Sequence, residues 1–189
     1  MSLPNVNIVQ GNGNLGAVVP SEDGVAALVG TGPAPGGYTL GDQLVFSSLA
    51  EAEAAGFDAD YDTSNTVVVH EHIKNFFEHA GNGAELHFVL FAQTVYLDDL
   101  VDNTQSFAKS LLQAQQGRIN LLAIFMNPDG GYTPAYTNGI DTLVEAAITN
   151  AQALYVAEFA VFRPLSIIIE GRGFQGTPQT PPRTMPEHW

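Results

Sequence analysis

At 189 residues and 45% apolar, the chain has the size and composition of one globular domain. Its six basic residues, Lys74, Lys109, Arg118, Arg163, Arg172 and Arg183, are scattered among 20 acids for a formal charge of −14, which argues against nucleic-acid or membrane-surface binding. The absence of cysteine excludes thiolate catalysis, disulfides and cysteine-ligated metal; no apolar run reaches the ~18 residues of a membrane span, and MSLPNVNIV lacks the basic start and apolar core of a secretory signal.

Residues 1–23 are polar, rich in Gly and Asn, and interrupted by Pro4 and Pro20, so they read as an extended N-terminal arm. GVAALVG (24–30) is an apolar run bounded by glycine, as expected of a buried strand. TGPAPGGYTLGD (31–42) is a loop whose Gly32 to Gly37 spacing imitates a phosphate loop, but Tyr38 and Thr39 stand where Lys and Ser/Thr are needed. Gln43–Phe46 reads as a second strand, and Ser48 as the cap of a helix over 49–55 that Gly56 ends. Ser64 or Asn65 is the expected cap of the next helix. Its stripe of Val69, Ile73, Phe76, Phe77 and Ala80 lies on one face, and Gly81 stops it.

LHFVLFA (86–92) is apolar on both faces and fits a central strand, with Phe76 and Val89 expected to pack between helix and sheet. A helix over 104–116 leads into a strand over 119–126. The loop NPDGGYTPAYTN precedes a long helix over 140–162, stopped at Arg163-Pro164, and SIIIE (166–170) is the last strand. Strands alternating with helices predict an α/β fold: a three-layer-like sandwich over 24–170 with a mixed, largely parallel central sheet. Residues 171–189 carry prolines and no periodicity and are expected to be disordered or partner-dependent.

The patterns that could carry chemistry fail on spacing. His70-Glu71-His72 has Lys74 at the i+4 position where a zinc helix needs its second histidine, and His72 and His79 stand about 10 Å apart along a helix rising 1.5 Å per residue. His87 lacks a sequence neighbour that would make it a base. Asp98, Asp99 and Asp102 fit the positive end of a helix dipole. DADYD (58–62) begins like a calcium loop, but Thr63 and Ile73 occupy the places of the required Gly and Glu. Gly11, Gly13 and Gly16 have dinucleotide-turn spacing, yet Pro20 blocks the helix that must come next, and no acid sits about 20 residues on to hold a ribose. No catalytic residue, metal or cofactor is expected.

The order of short signatures over 24–174 resembles the contractile tail sheath proteins of bacteriophages and related injection machines, especially divergent prophage members. GVAALVGTG (24–32), LVFSSLAEAEAAGF (44–57), HIKNFFEHAGNGAELHFVLF (72–91), RINLLAIFMNP (118–128) and SIIIEGRGF (166–174) carry the resemblance. It implies a structural subunit, not an enzyme, whose rings stack around a tail tube and whose terminal arms lend strands to neighbouring subunits. By resemblance the partners are other copies of the chain and a tail tube protein, and the location is the bacterial cytoplasm during assembly, then the virion tail. The arm residues are then Asn5, Val6, Asn7, Ile8, Val9 and Gln10, with Gly11, Gly13 and Gly16 as hinge, since glycine permits positive φ. Sheath chains continue past the strand matching SIIIEGR, whereas this one stops at Trp189, so a truncated or diverged relative is expected. The alternative is a small-molecule or nucleotide-binding α/β enzyme.

Replacing His70, His72 and His79 together with Gln is expected to leave metal content unchanged in elemental analysis of chelator-free protein. Stoichiometric zinc in the parent that disappears from the variant would overturn the spacing argument.

Overall fold

The computed structural model describes residues 25–81 and 83–175. In chain order these form β1 (Val25–Thr31), β2 (Gln43–Phe46), α1 (Leu49–Ala54), α2 (Ala59–Asn65), α3 (Val69–Ala80), β3 (Leu86–Phe91), α4 (Leu97–Leu100), α5 (Ala108–Gln115), β4 (Ile119–Ile124), β5 (Tyr136–Thr137), β6 (Ile140–Asp141), α6 (Thr142–Ala160) and β7 (Ser166–Ile169). The central sheet has the order β2-β3-β1-β4-β7. Its β3, β1, β4 and β7 are parallel, and β2 runs antiparallel along β3. Among the described residues no helix is long and apolar enough to cross a membrane.

All seven positions of β1 are buried, because strands flank it on both sides and helices cover both faces. Ala26 and Leu28 join Leu86, Phe88, Leu90 and Phe125 under the layer of α1–α3. Ala27 and Val29 join Val89, Leu122 and Ile124 under α4–α6, whose Leu97, Leu111 and Leu154 reach the sheet side. The sandwich is therefore three-layered around a mixed, mostly parallel sheet.

The strict two-residue alternation of β3 separates Phe76 from Val89: Leu86, Phe88 and Leu90 face α3, and Val89 faces the opposite layer. On α3 the fully packed aromatic is Phe77, while Phe76 is only half-buried. Ser64 and Asn65 do not cap α3. They close α2, which Asp58 caps by accepting the Tyr61 N–H at 2.7 Å, and Thr66 then turns through φ 55°. The first turn of α3 is capped from outside, by the Asp62 carboxylate accepting the N–H groups of His70 (3.0 Å) and Glu71 (3.1 Å). DADYD is thus a helical turn that starts one helix and caps the next.

The helix expected over 104–116 begins only at Ala108. Asp102 folds the preceding stretch into a turn by accepting the Thr104 N–H and hydroxyl, and Asp98 and Asp99 lie in the first turn of the separate helix α4. Ile140 and Asp141 belong to the β5–β6 hairpin, and Asp141 caps α6 through the Leu143 N–H.

Gly30 of β1 lies directly under the buried Phe125 that follows β4: a Cβ added there would overlap the Phe125 ring. Gly30→Ala is expected to cost about 1–3 kcal/mol, the range for overpacking. Phe125→Leu in the same chain should recover part of that loss in denaturant unfolding.

Candidate functional site

The chain passes from β1 to β3 on one side, then crosses to β4 on the other, so the topological switch point lies between the C-terminal ends of β1 and β4. In open α/β sheets this is where ligands bind. Here the crevice is fastened shut. Thr31, fully buried, donates its hydroxyl to the Asn127 carbonyl (3.0 Å) and accepts the Asn127 N–H (2.9 Å). The Asn127 side chain donates to the Thr31 carbonyl (2.8 Å) and accepts the Val68 N–H (3.2 Å), tying β1, β4 and the start of α3 together. Gln93 donates to the carbonyls of Asn127 and Pro128, both at 3.3 Å.

Beside this knot, Glu170 accepts the Met126 N–H at 2.8 Å, and Arg172 donates to the Met126 carbonyl at 2.8 Å while lying over the Tyr132 ring. Tyr132 donates in turn to Asp141. Burial, with Asp141 alongside, pushes the Tyr132 phenol far above its ordinary pKa, so it remains a donor. These rim contacts fasten backbone or cap a helix. The helix terminus that abuts the rim, that of α3, already holds the Asp62 carboxylate, which would repel a phosphate. β1 also leads into a loop and β2 instead of a helix.

The histidines are dispersed. His70 is buried against Glu53 at 3.2 Å, and His79 is exposed. His72 lies with its ring 4.6 Å from that of Phe125, and its buried Nε2 has no hydrogen-bond partner among the described residues. His87 has a partner two residues earlier: Glu85, just before β3, bonds its Nε2 at 2.7 Å and also receives Arg118 at 3.0 Å. The i, i+2 spacing is a sequence signal for this pair, since alternate residues of extended backbone share a face. Among the described residues no group of three or more His, Asp or Glu converges as a metal-binding set. Asn5–Gln10 and the glycines 11, 13 and 16 lie outside the described residues.

The second candidate is the sheet edge at β7, which pairs with β4 alone among the described strands. Ile168 is 56% exposed there. On the other face of β7, Ile167 and Ile169 form one wall of a groove of about 430 Å³, with Ile148, Gln152 and Tyr155 of α6 as the opposite wall. Tyr155 also lines a second groove of about 470 Å³, with Phe159, Pro164 and Leu165. Residues 146–157 carry no charge at all, in a chain with 20 acids. An apolar wall beside a strand edge can accept an extended segment: the edge offers backbone hydrogen bonds and the wall receives side chains.

The sequence matches the family model described as DUF2586, N-terminal domain, over residues 3–183, and the chain belongs to that family. No curated protein and no solved structure matches it.

Burial holds the His72 imidazole below the ordinary histidine value of 6.5, against the weaker upward pulls of Glu170, Asp62 and Glu71. The folded state therefore binds this proton less readily than the unfolded chain. Stability contributed here is whole above the unfolded value and is lost as pH falls through it. Between about pH 7 and about pH 5.5, above the range of ordinary carboxylates, the chain should lose stability in urea titrations, and His72→Gln should flatten that part of the profile.

Proposed function

We propose that this DUF2586 family member is a structural assembly subunit, of the kind its resemblance to contractile tail sheath proteins implies, and that copies join when Asn5–Gln10 of one adds as a strand to the β7 edge of another. The observation that supports the reading is the β7 edge, which pairs with β4 alone among the described strands. Natural edge strands are protected by lysine, proline or covering elements; β7 reads SIII, with neither Lys nor Pro, and is bordered by an apolar groove. β2, at the opposite edge, exposes Val45, but the grooves lie along β7.

The donated segment suits this acceptor. In NVNIVQ, Val6 and Ile8 fall on one face of an extended strand, the spacing needed to reach toward Ile148 and Tyr155 while the backbone pairs with β7. Gly11, Gly13 and Gly16 supply the bend between arm and domain. The net charge of −14 opposes close approach of copies, so association strengthens with salt. In this reading the other partner is a tail tube protein, and the subunit passes from the bacterial cytoplasm to a virion tail. A nucleotide- or small-molecule-binding enzyme draws less support, because the polar side chains at the switch point are engaged with the chain's own backbone.

Deleting residues 2–14 is expected to leave thermal stability nearly intact while abolishing self-association at high protein and salt concentration in sedimentation velocity. Ile168→Lys, which places a charge on the edge, should do the same in the full chain. If the deletion unfolds the domain, the segment is an intramolecular core strand. If association survives both changes, β7 is not the acceptor.

A further inference from the structure

α6 is built like an interior helix but lies on the outside. A surface helix ordinarily turns a charged face to water. Ile148, Gln152, Tyr155, Val156 and Phe159 instead succeed one another at i, i+4, i+7, i+8 and i+11 along its outer face, and four of the five are large apolar side chains more than 40% exposed. Glu158, near the end of the helix, is folded inward and pairs with Arg163 at 3.7 Å. Beyond the helix, Phe162 is 94% exposed and held at φ 61°, a backbone conformation that bulky residues rarely adopt. Tyr155 and Phe159 stack with centroids 5.9 Å apart, forming an aromatic wall beside β7.

The place where the described chain ends bears on what covers this wall. The Gln175 N–H donates to the Gly139 carbonyl at 2.8 Å, just ahead of β6 and the first residue of α6. The chain therefore leaves Gln175 close to the N-terminus of α6. Its last fourteen residues are GTPQTPPRTMPEHW, with prolines at 178, 181, 182 and 186 and Glu187 as their one acid. Proline-rich segments favour the polyproline II conformation, and such ribbons dock on aromatic-lined grooves with little further loss of entropy. The lengths agree: a ten-residue polyproline II segment extends about 31 Å at about 3.1 Å per residue. Thr142–Ala160 spans about 28 Å at about 1.5 Å per residue.

We propose that residues 176–185 dock as a polyproline ribbon in the groove between α6 and β7 of their own chain, covering the Ile148–Phe159 stripe and shielding the β7 edge. The second half of this inference rests on the β7-edge reading above: the ribbon and a neighbour's Asn5–Gln10 compete for one groove. A segment tethered beside its site has an effective concentration in the ~mM range, so the cis ribbon prevails in dilute protein and yields as copies become concentrated. The ribbon thereby delays assembly.

The test compares the full chain with a chain ending at Gln175, each checked for folding by circular dichroism, using an apolar fluorescent dye and the emission anisotropy of Trp189, the sole tryptophan. Removing 176–189 should raise dye binding severalfold, and a synthetic 176–189 peptide should reverse the rise. Pro181→Gly with Pro182→Gly in the full chain should increase dye binding and lower Trp189 anisotropy, a readout that remains if the shortened chain fails to fold. Equal dye binding in both chains with no peptide effect overturns the proposal. Dye protection that disappears on dilution shows the segment of a second copy in the groove and overturns the cis arrangement. Sedimentation separates the two readings: the shortened chain should associate at lower concentration than the full chain. If deleting residues 2–14 leaves that association unchanged while the dye and peptide results stand, strand donation fails and the docked ribbon survives.

Discussion

β1 has no side that meets water, and that constraint propagates through the molecule. A strand buried at every position must have a strand on each flank and a helical layer on each face, which brings β3 and β4 beside it and separates α1–α3 from α4–α6. Small residues make the enclosure tight. Ala26 and Ala27 allow both layers to approach, and Gly30 lets the Phe125 ring lie directly on the strand. The same burial obliges the polar end of the strand to find partners inside the protein. Thr31 does so through Asn127, and the two residues close the sheet at the place where related topologies leave an opening.

That closure moves attention from the rim to the side of the sheet. Buried hydroxyls, amides and carboxylates at a switch point ordinarily invite a search for substrate, but here their partners are neighbouring backbone groups, and the nearest helix terminus is neutralised by Asp62. The β7 side has the opposite character. It holds few polar side chains, a strand edge with no partner among the described strands, and a helix whose composition suits an interior. Polar residues at the rim fix the architecture, and the exposed apolar side chains are gathered along α6 and β7.

The strands of the central sheet were legible in the sequence because each is a compact apolar run, and the α/β class follows from their alternation with helices. Elements whose logic is non-local were harder to read. α2 is short and acidic, and Asp62 caps a helix other than its own, so DADYD resembles a solvated loop until α3 is seen above it. The β5–β6 hairpin has two-residue strands and no apolar periodicity. Thr31 and Asn127 are 96 positions apart, and no local pattern joins them. For the candidate site, SIII was visible as a strand, but its edge position is a property of strand order. The long helix was legible over 140–162, but which half of it faces water is set by packing that no local pattern encodes. The arm and hinge residues lie outside the described part of the chain.

The position of β1 has a mechanical consequence. Whatever attaches through residues 1–24 is joined to Val25, the first residue of the central strand. A pull along that attachment loads β1 lengthwise between two parallel neighbours, from Ala26–Leu86 to Thr31–Phe91 on one side and from Val25–Ile119 to Val29–Ile124 on the other. The ladders are then strained in shear, many bonds at once, instead of being peeled open one at a time. At the same end, Glu85 and Arg118, just before β3 and β4, form an ion pair at 3.0 Å. A load applied at Val25 is therefore borne by the most deeply embedded element of the fold.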